Sequence, residues 1–170
     1  MITVWWDRGP QAARHLLRWV LAATLGGEPD AVGVGRSCAA CGSADHGKPY
    51  ALAAPELGLS VSRAGGLTAV AVGGCRPVGL DVEDVTRIPP GAAALVGLAQ
   101  TTPAASVARR WVRTEAVLKA SGLGLSVPPE GLIVPDGVRV VDLELPSPHV
   151  GALAVLGDDE PRVRVRRWAP

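Results

Sequence analysis

Turn-forming glycine and proline residues recur along the chain and limit the length of every element that it can form. There are 21 Gly and 15 Pro among the 170 residues, and they divide the sequence into short runs. Two runs have the length and the amphipathic spacing of helices, residues 10–25 and 104–120. Shorter apolar runs predict strands at residues 2–6, 57–62, 67–72, 79–84, 131–134, 138–145, 150–156 and 162–168.

The order of these elements repeats along the chain. In each half a helix is followed by antiparallel strands, and in the first half a Gly-rich loop extends from the helix to Pro49. A chain of this length can bury one sizeable core or two small ones. We therefore expect an α+β fold of two similar subdomains, residues 1–77 and 78–170, each a helix packed on a small antiparallel sheet.

Two separated segments each place charged side chains on one face. In residues 78–83 an extended backbone points Asp81 and Glu83 the same way, because side chains two apart share a face of a strand. In residues 111–119 a helix places Trp111, Glu115 and Lys119 one turn apart. The ordinary alternatives are a solvated strand edge and a helix-surface ion pair, which stabilises by roughly a few tenths of a kcal/mol.

Lysine is rare in this chain, which makes each lysine informative. The chain has 15 Arg but only two Lys, Lys48 and Lys119. Lysine is a compact point charge that suits phosphate and, unlike arginine, can exchange a proton. Because Lys48 follows His46 and Gly47 in a predicted loop, we interpret it as a phosphate contact.

The two charged segments resemble the signature motifs of the Sfp-type 4'-phosphopantetheinyl transferases, the enzymes that activate carrier proteins. The first is Gly79-Leu-Asp81-Val-Glu83, and the second spans residues 111–122 in the expected order and spacing. Residues 38–42 with 46–49 resemble the loop before the core of the family's first domain. Residues 59–62 resemble the following strand, and residues 16–18 with 25–26 the early helix.

The resemblance implies an activity and a fold. These enzymes transfer 4'-phosphopantetheine from coenzyme A to a carrier-protein serine and release adenosine 3',5'-bisphosphate. Two pseudo-twofold-related subdomains hold coenzyme A between them. Hard carboxylate oxygens suit Mg²⁺, so Asp81, Glu83 and Glu115 are the expected metal ligands. Glu115 is the expected general base, and Lys119 is expected to stabilise charge on the leaving phosphate.

The resemblance also assigns the contacts to coenzyme A. The segment before the first helix is short and lacks the family's basic run, which leaves Arg14 and Arg18 as replacements. The expected partner is an acyl or peptidyl carrier protein, and the pseudo-dimeric fold makes a monomer the expected state. The residues expected to bind coenzyme A are Lys48, Pro49, Ser60, Asp81, Lys119, Arg14 and Arg18.

The chain departs from the family's motifs at three further places. Ser60-Val61 stands where Ser-His is usual, which removes an imidazole contact to the 3'-phosphate. Thr114 replaces a lysine before Glu115, and no acidic residue lies between Asp84 and Glu115, so the metal has fewer candidate ligands. A degenerate relative that binds coenzyme A or a carrier protein without catalysis is the alternative.

The composition argues against some classes of function. Hydrophobic residues make up 48% and charged residues 19% of the chain, as in an ordinary soluble globular protein. The longest apolar runs, such as residues 69–72 and 152–156, are too short to cross a bilayer, and no secretory signal pattern opens the sequence. We expect a cytoplasmic protein without membrane contacts. A net charge of +1 argues against a nucleic-acid surface.

The three cysteines allow three interpretations. Cys38 and Cys41 form a C-x-x-C pair, and Cys75 is remote. A zinc site could take His46 as a third ligand, but the sequence has no second C-x-x-C pair, and Cys75 would have to come from elsewhere in the fold. A redox pair normally begins a helix, whereas glycines mark this segment as a loop. Reduced thiols that pack a loop in a reducing cytosol are the favoured interpretation.

The last predicted strand carries a row of arginines. Alternation places Arg162, Arg164 and Arg166 on one face. The row could protect a sheet edge from pairing with other molecules, or it could dock an acidic carrier protein.

Overall fold

The computed structural model describes residues 1–122 and 132–169 and has an α+β architecture. Short 3-10 turns occupy Pro29–Ala31 and Val85–Arg87. In chain order the elements are β1 (Ile2–Arg8), α1 (Pro10–Leu25), β2 (Val34–Ser37), β3 (Lys48–Ala51), β4 (Leu59–Ala64), β5 (Leu67–Val72), β6 (Val78–Asp84), α2 (Ala92–Leu95), α3 (Ala104–Ser121), β7 (Val138–Leu143), β8 (His149–Leu156) and β9 (Val163–Arg167).

The strands form three sheets. The first has the order β4-β5-β1-β9, the second pairs β2 with β3, and the third has the order β6-β8-β7. All neighbours are antiparallel except β1 and β9, which run parallel. Val72 pairs with both Leu59 and Thr3, and Asp81 pairs with Ala152, which fixes the register of the two larger sheets.

The first and third sheets pack face to face. Apolar side chains of β1 and β5 meet those of β6 and β8 in one buried cluster that includes Val4, Leu67, Leu80 and Leu153. Helix α1 covers the outer face of the first sheet, and α3 covers the outer face of the third. The described chain is therefore layered as helix, sheet, sheet, helix.

Each long helix owes its position to an apolar stripe and to its end residues. In α1, Leu16, Val20 and Leu21 are buried against the first sheet at helical spacing. Pro10 occupies the first turn, where its missing N–H costs nothing. Helix α3 ends at Gly122, whose φ of 75° is the left-handed cap that glycine adopts without strain.

Side chains join the two larger sheets where β4 lies beside β6. The Ser60 hydroxyl accepts the backbone N–H of Leu80 at 2.9 Å, and the Ser62 hydroxyl accepts that of Val82 at 3.2 Å. Both serines are buried. They satisfy backbone donors of β6 that would otherwise be orphaned in the interior. These two hydrogen bonds hold β6, which carries Asp81, against β4 of the first sheet.

The α+β class and both long helices are confirmed. Helix α1 has the expected bounds, and α3 extends one residue further than expected. The Gly-rich segment before Pro49, expected as a loop, contains the hairpin of β2 and β3. The strand expected at residues 131–134 is not formed over 132–134, and residue 131 lies outside the described part. None of the helices described is long and apolar enough to span a membrane.

The last strand pairs differently from the expectation. The boundary at residues 77 and 78 assigns it to the second subdomain, but β9 joins the first sheet beside β1. This position lets Val163 and Val165 pack against the cluster between the two sheets. Partial burial of these two side chains favours this position of the strand.

Candidate active site

Strand β6 alternates between the core and helix α3. Leu80 and Val82 point into the cluster between the sheets, so Asp81 and Glu83 take the opposite face, beneath α3. Gly79 lies on the same face, and a Cβ there would overlap backbone atoms of α3. Glycine at this position therefore permits the close approach of the helix to the acidic strand.

Lys119 of α3 forms an ion pair with Asp81 of β6. Nζ of Lys119 donates to Oδ1 of Asp81 at 2.5 Å, and the Ser62 hydroxyl donates to the same oxygen at 2.9 Å. Asp81 is only 4% exposed, and its Oδ2 has no hydrogen-bond partner among the described residues. Burial raises the pKa of Asp81, with Lys119 opposing the shift. A buried carboxylate oxygen is thus left for a further donor or cation.

Glu83 and Glu115 share the electrostatic environment of Asp81. Burial, and next the charge of Asp81, raise the pKa of each glutamate, while the Lys119 ammonium acts in the opposite direction. All three carboxylates therefore hold their protons more tightly than usual. Such a group favours the binding of an additional cation, which would return these pKa values towards their normal range.

A cleft of about 660 Å³ opens beside Lys119. Its walls come from the end of α3, from β4, and from β2, β3 and the loop between them. Arg36, Lys48, Arg63 and Lys119 line it, and no carboxylate is among the lining residues in the described part of the chain. Burial lowers the pKa of Lys48, and desolvation together with Arg36 lowers that of Arg63. This concentration of positive charge suits an anionic ligand.

Lys48 also contacts the last turn of α3. Its Nζ donates to the carbonyl oxygen of Lys119 at 3.0 Å and lies 3.5 Å from that of Ala120. The last carbonyls of a helix have no intrahelical donor and form the negative end of its dipole. The Lys48 ammonium therefore neutralises the end of the helix that carries Lys119.

Most of the residues expected from the sequence lie in this region. Lys48, Pro49, Ser60 and Lys119 line the cleft. Asp81 lies next to it through its contact with Lys119. The hydroxyl of Ser60 is already bound to the backbone of β6, so Ser60 has a structural role in addition to its position in the cleft.

The two arginines expected from the first helix lie elsewhere. Arg14 is exposed on α1, and Arg18 donates to the carbonyl oxygen of Val32 at 2.7 Å. Neither is among the cleft-lining residues that the structure describes, whereas Arg36 and Arg63 are. The two arginines that line the cleft thus come from strands β2 and β4, and its two lysines from β3 and α3.

Sequence reasoning did not select Ser62, Arg63 or Arg36. Ser62 follows Ser60 at strand spacing, and Arg63 follows Val61, so the period of two could have found both. Arg36 had no such signal, because it lies in a strand that was expected to be a loop. Only the pairing of β2 with β3 brings it beside the Lys48 segment.

The three carboxylates fit a Mg²⁺ ion by chemistry. They offer hard oxygen ligands, and the Oδ2 of Asp81 is buried without a partner among the described residues. Their oxygens do not form a tight cage, since the only group of donor atoms within 4.8 Å of one another in residues 1–122 and 132–169 is a cysteine-containing one. Mg²⁺ commonly keeps waters and substrate oxygens as ligands and does not require such a cage.

Comparisons with known proteins do not identify a family for this chain. No protein-family model matches the chain, and no curated protein matches it. The functional argument therefore depends on the chemistry of the cleft and of the carboxylates beside it.

Proposed function

We propose that this protein transfers 4'-phosphopantetheine from coenzyme A to a serine of an acyl or peptidyl carrier protein, in a Mg²⁺-dependent reaction. The supporting observation is one arrangement of charge. A cleft lined by four basic residues lies next to the buried carboxylate of Asp81 and the half-buried Glu83 and Glu115. Lys119 both lines the cleft and pairs with Asp81. An enzyme that binds a polyphosphate and activates a hydroxyl needs these two environments side by side.

The basic cleft suits the phosphates of coenzyme A. Lys48, Arg36 and Arg63 come from strands of the first half, and Lys119 comes from the helix of the second. A coenzyme A pyrophosphate and 3'-phosphate bound here would offset the mutual repulsion of these cations. Ligand binding is thereby expected to tie the two halves together.

The carboxylates suit activation of the serine. A serine hydroxyl attacks the pantetheine-side phosphorus only as its proton leaves, and Glu115, whose pKa is raised by burial, is a suitable acceptor. As the phosphorus–oxygen bond to the adenosine bisphosphate breaks, charge grows on the leaving phosphate. Lys119 lines the cleft, and its ammonium would stabilise that charge.

Asp81, Glu83 and Glu115 are the residues that would hold Mg²⁺. The bound ion would supply positive charge to neutralise the pyrophosphate oxygens. Until it binds, Lys119 and Ser62 occupy one oxygen of Asp81 and keep the carboxylate oriented.

We also propose that the two halves are pseudo-twofold-related subdomains. The support is architectural: each large sheet carries one long helix on its outer face, and the inner faces share a core. Strand β9 is an addition to the first subdomain from the end of the chain.

The test is product formation. Coenzyme A, Mg²⁺ and an apo carrier protein are incubated with the chain, and adenosine 3',5'-bisphosphate is quantified by liquid chromatography. We expect it to appear in equal amount to the loaded carrier and only when all components are present. Release without a carrier would indicate hydrolysis, and binding of coenzyme A without release would indicate the non-catalytic alternative.

A further inference from the structure

A second cluster of metal-ligating side chains lies in the loop between β2 and β3. The ligand atoms of Cys38, Cys41 and His46 all lie within 4.8 Å of one another. Sγ of Cys41 is 3.3 Å from Nε2 of His46. The three cysteines of the chain are free thiols, and Cys75 is not part of this group.

The loop backbone is folded so that the two cysteines face each other. The N–H of Gly42 donates to the carbonyl oxygen of Cys38 at 2.8 Å, and the N–H of Cys38 donates to that of Ser43 at 3.0 Å. Gly42 has a φ of 72°, in the left-handed region that glycine favours. This turn gathers both sulfurs at the start of the loop, and His46 returns from its other end.

The donor set selects a particular kind of metal. Two thiols that can become thiolates and one imidazole are soft and borderline ligands, which suit Zn²⁺ and not Mg²⁺. From the sequence alone the missing fourth ligand argues against zinc. Catalytic zinc sites nevertheless bind the ion with three protein ligands and one water, and the exposure of Cys41 and His46 leaves room for such a water.

We propose that Cys38, Cys41 and His46 bind one Zn²⁺ ion, with a water in the fourth position. The ion cross-links the loop between β2 and β3. Cys38, Ala39 and Ala40 of this loop line the basic cleft, as does Gly47. The zinc therefore braces one wall of the cleft, and this role does not depend on the reaction proposed above.

The experiment uses the full chain under reducing conditions. The protein is loaded with Zn²⁺, dialysed, and analysed for metal by mass spectrometry, and a second sample is loaded with Co²⁺ for absorption spectroscopy. We expect one equivalent of zinc and thiolate-to-cobalt charge-transfer bands. Cys38→Ser, Cys41→Ser and His46→Ala should each lose the bound zinc, whereas Cys75→Ser, the matched control, should keep it.

Several results would overturn the proposal. Wild-type protein without bound zinc, or cobalt spectra without thiolate bands, would do so even if the variants failed to fold. Equal zinc content in the wild type and the three variants would place the ion elsewhere. A Cys38–Cys41 disulfide in metal-free protein that re-forms after reduction, with no metal uptake, would assign the pair to redox chemistry instead.

Discussion

Asp81 is the residue on which the candidate site depends most. It is buried, one of its oxygens is held by Lys119 and Ser62, and the other has no partner among the described residues. An ion pair repays the desolvation of its charges only when further hydrogen bonds complete it. The incomplete bonding at Asp81 is a cost to stability that a bound cation would remove.

The clearest residue-scale prediction concerns Glu115. Glu115→Gln should keep the fold and lower the turnover of transfer by about 10²–10⁴-fold, because an amide matches the shape of the carboxylate but does not accept the serine proton. Turnover is measured with an apo carrier protein, and folding by circular dichroism. Glu144→Gln, an exposed glutamate, is the control. If Glu115→Gln turned over at the wild-type rate, Glu115 would not be the general base.

A second residue-scale prediction concerns pH and metal. The pKa values of Asp81, Glu83 and Glu115 are raised in the fold, so the folded state binds their protons more tightly than the unfolded state does. Stability is therefore lost as pH rises from the ordinary carboxylate pKa through the folded values. Mg²⁺ should offset that loss, so we expect it to raise Tm at neutral pH and to do so less as the carboxylates become protonated in acid.

Thermal unfolding with and without Mg²⁺ at several pH values measures this effect. Asp81→Asn removes one of the charges and should reduce the Mg²⁺ shift at neutral pH. A Mg²⁺-induced Tm shift of equal size at every pH, or an undiminished shift in Asp81→Asn, would show that Mg²⁺ does not bind at these carboxylates.

At the residue scale, part of the candidate site could be predicted from the sequence. Period-two spacing was sufficient to place Asp81 and Glu83 on one face of a strand, and period-four spacing to place Glu115 and Lys119 on one face of a helix, because both segments form regular elements. Spacing did not reveal that Lys119 pairs with Asp81. That contact depends on how α3 crosses β6, which Gly79 permits and no local pattern encodes.

At the scale of elements, the C-terminal end of helix α3 is held by contacts with strands β3 and β6. Lys48 of β3 donates to carbonyl oxygens of the last turn, while Lys119 of the same turn reaches Asp81 of β6. The two lysines therefore tie one helix end to two different strands, β3 and β6. Their different contacts predict different kinetic effects.

The element-scale prediction compares two alanine variants. Lys48→Ala should raise KM for coenzyme A by roughly tenfold to a hundredfold, as expected for a charged hydrogen bond worth about 1.5–3 kcal/mol. Lys119→Ala should mainly lower kcat, because its charge is assigned to the leaving phosphate. Arg109→Ala, on the exposed face of α3, is the control. Identical changes in KM and kcat for both lysine variants would contradict this division of roles.

The predictability of the elements follows from their periodicity. Long amphipathic helices carry strong local signals, and the structure has both where expected. The strand expected at residues 67–72 is also found there, whereas the one expected at 57–62 lies two residues later, at Leu59–Ala64. The hairpin of β2 and β3 is short and Gly-rich, so its sequence has the composition of a loop. The pairing of β9 with β1 is a contact between the two ends of the chain, which spacing within a segment does not determine.

In the whole molecule, β9 forms an edge of the first sheet and carries exposed charge. Arg164 and Arg166 are exposed, and Arg167 lies over the ring of Trp6 and contacts Asp7. Charged side chains on an edge strand oppose pairing with other molecules. The position of β9 thus favours edge protection over carrier docking.

Charge reversal on β9 distinguishes edge protection from docking of a carrier protein. If the row of arginines protects the edge, Arg164→Glu/Arg166→Glu should transfer at the wild-type rate at both low and high ionic strength, because the edge stays charged. Initial rates with an acidic carrier protein measure this. A loss at low salt that narrows as salt rises would instead identify β9 as the docking surface.

The central claim is that the basic cleft and the three carboxylates beside it together modify a carrier protein. Intact-mass spectrometry of apo acyl and peptidyl carrier proteins, incubated with coenzyme A, Mg²⁺ and this chain, tests it most directly. We predict that a carrier gains the mass of one phosphopantetheine group on its serine with the wild type, and gains almost none with Glu115→Gln. Unchanged masses for carriers that an authentic phosphopantetheinyl transferase modifies in parallel would contradict the account.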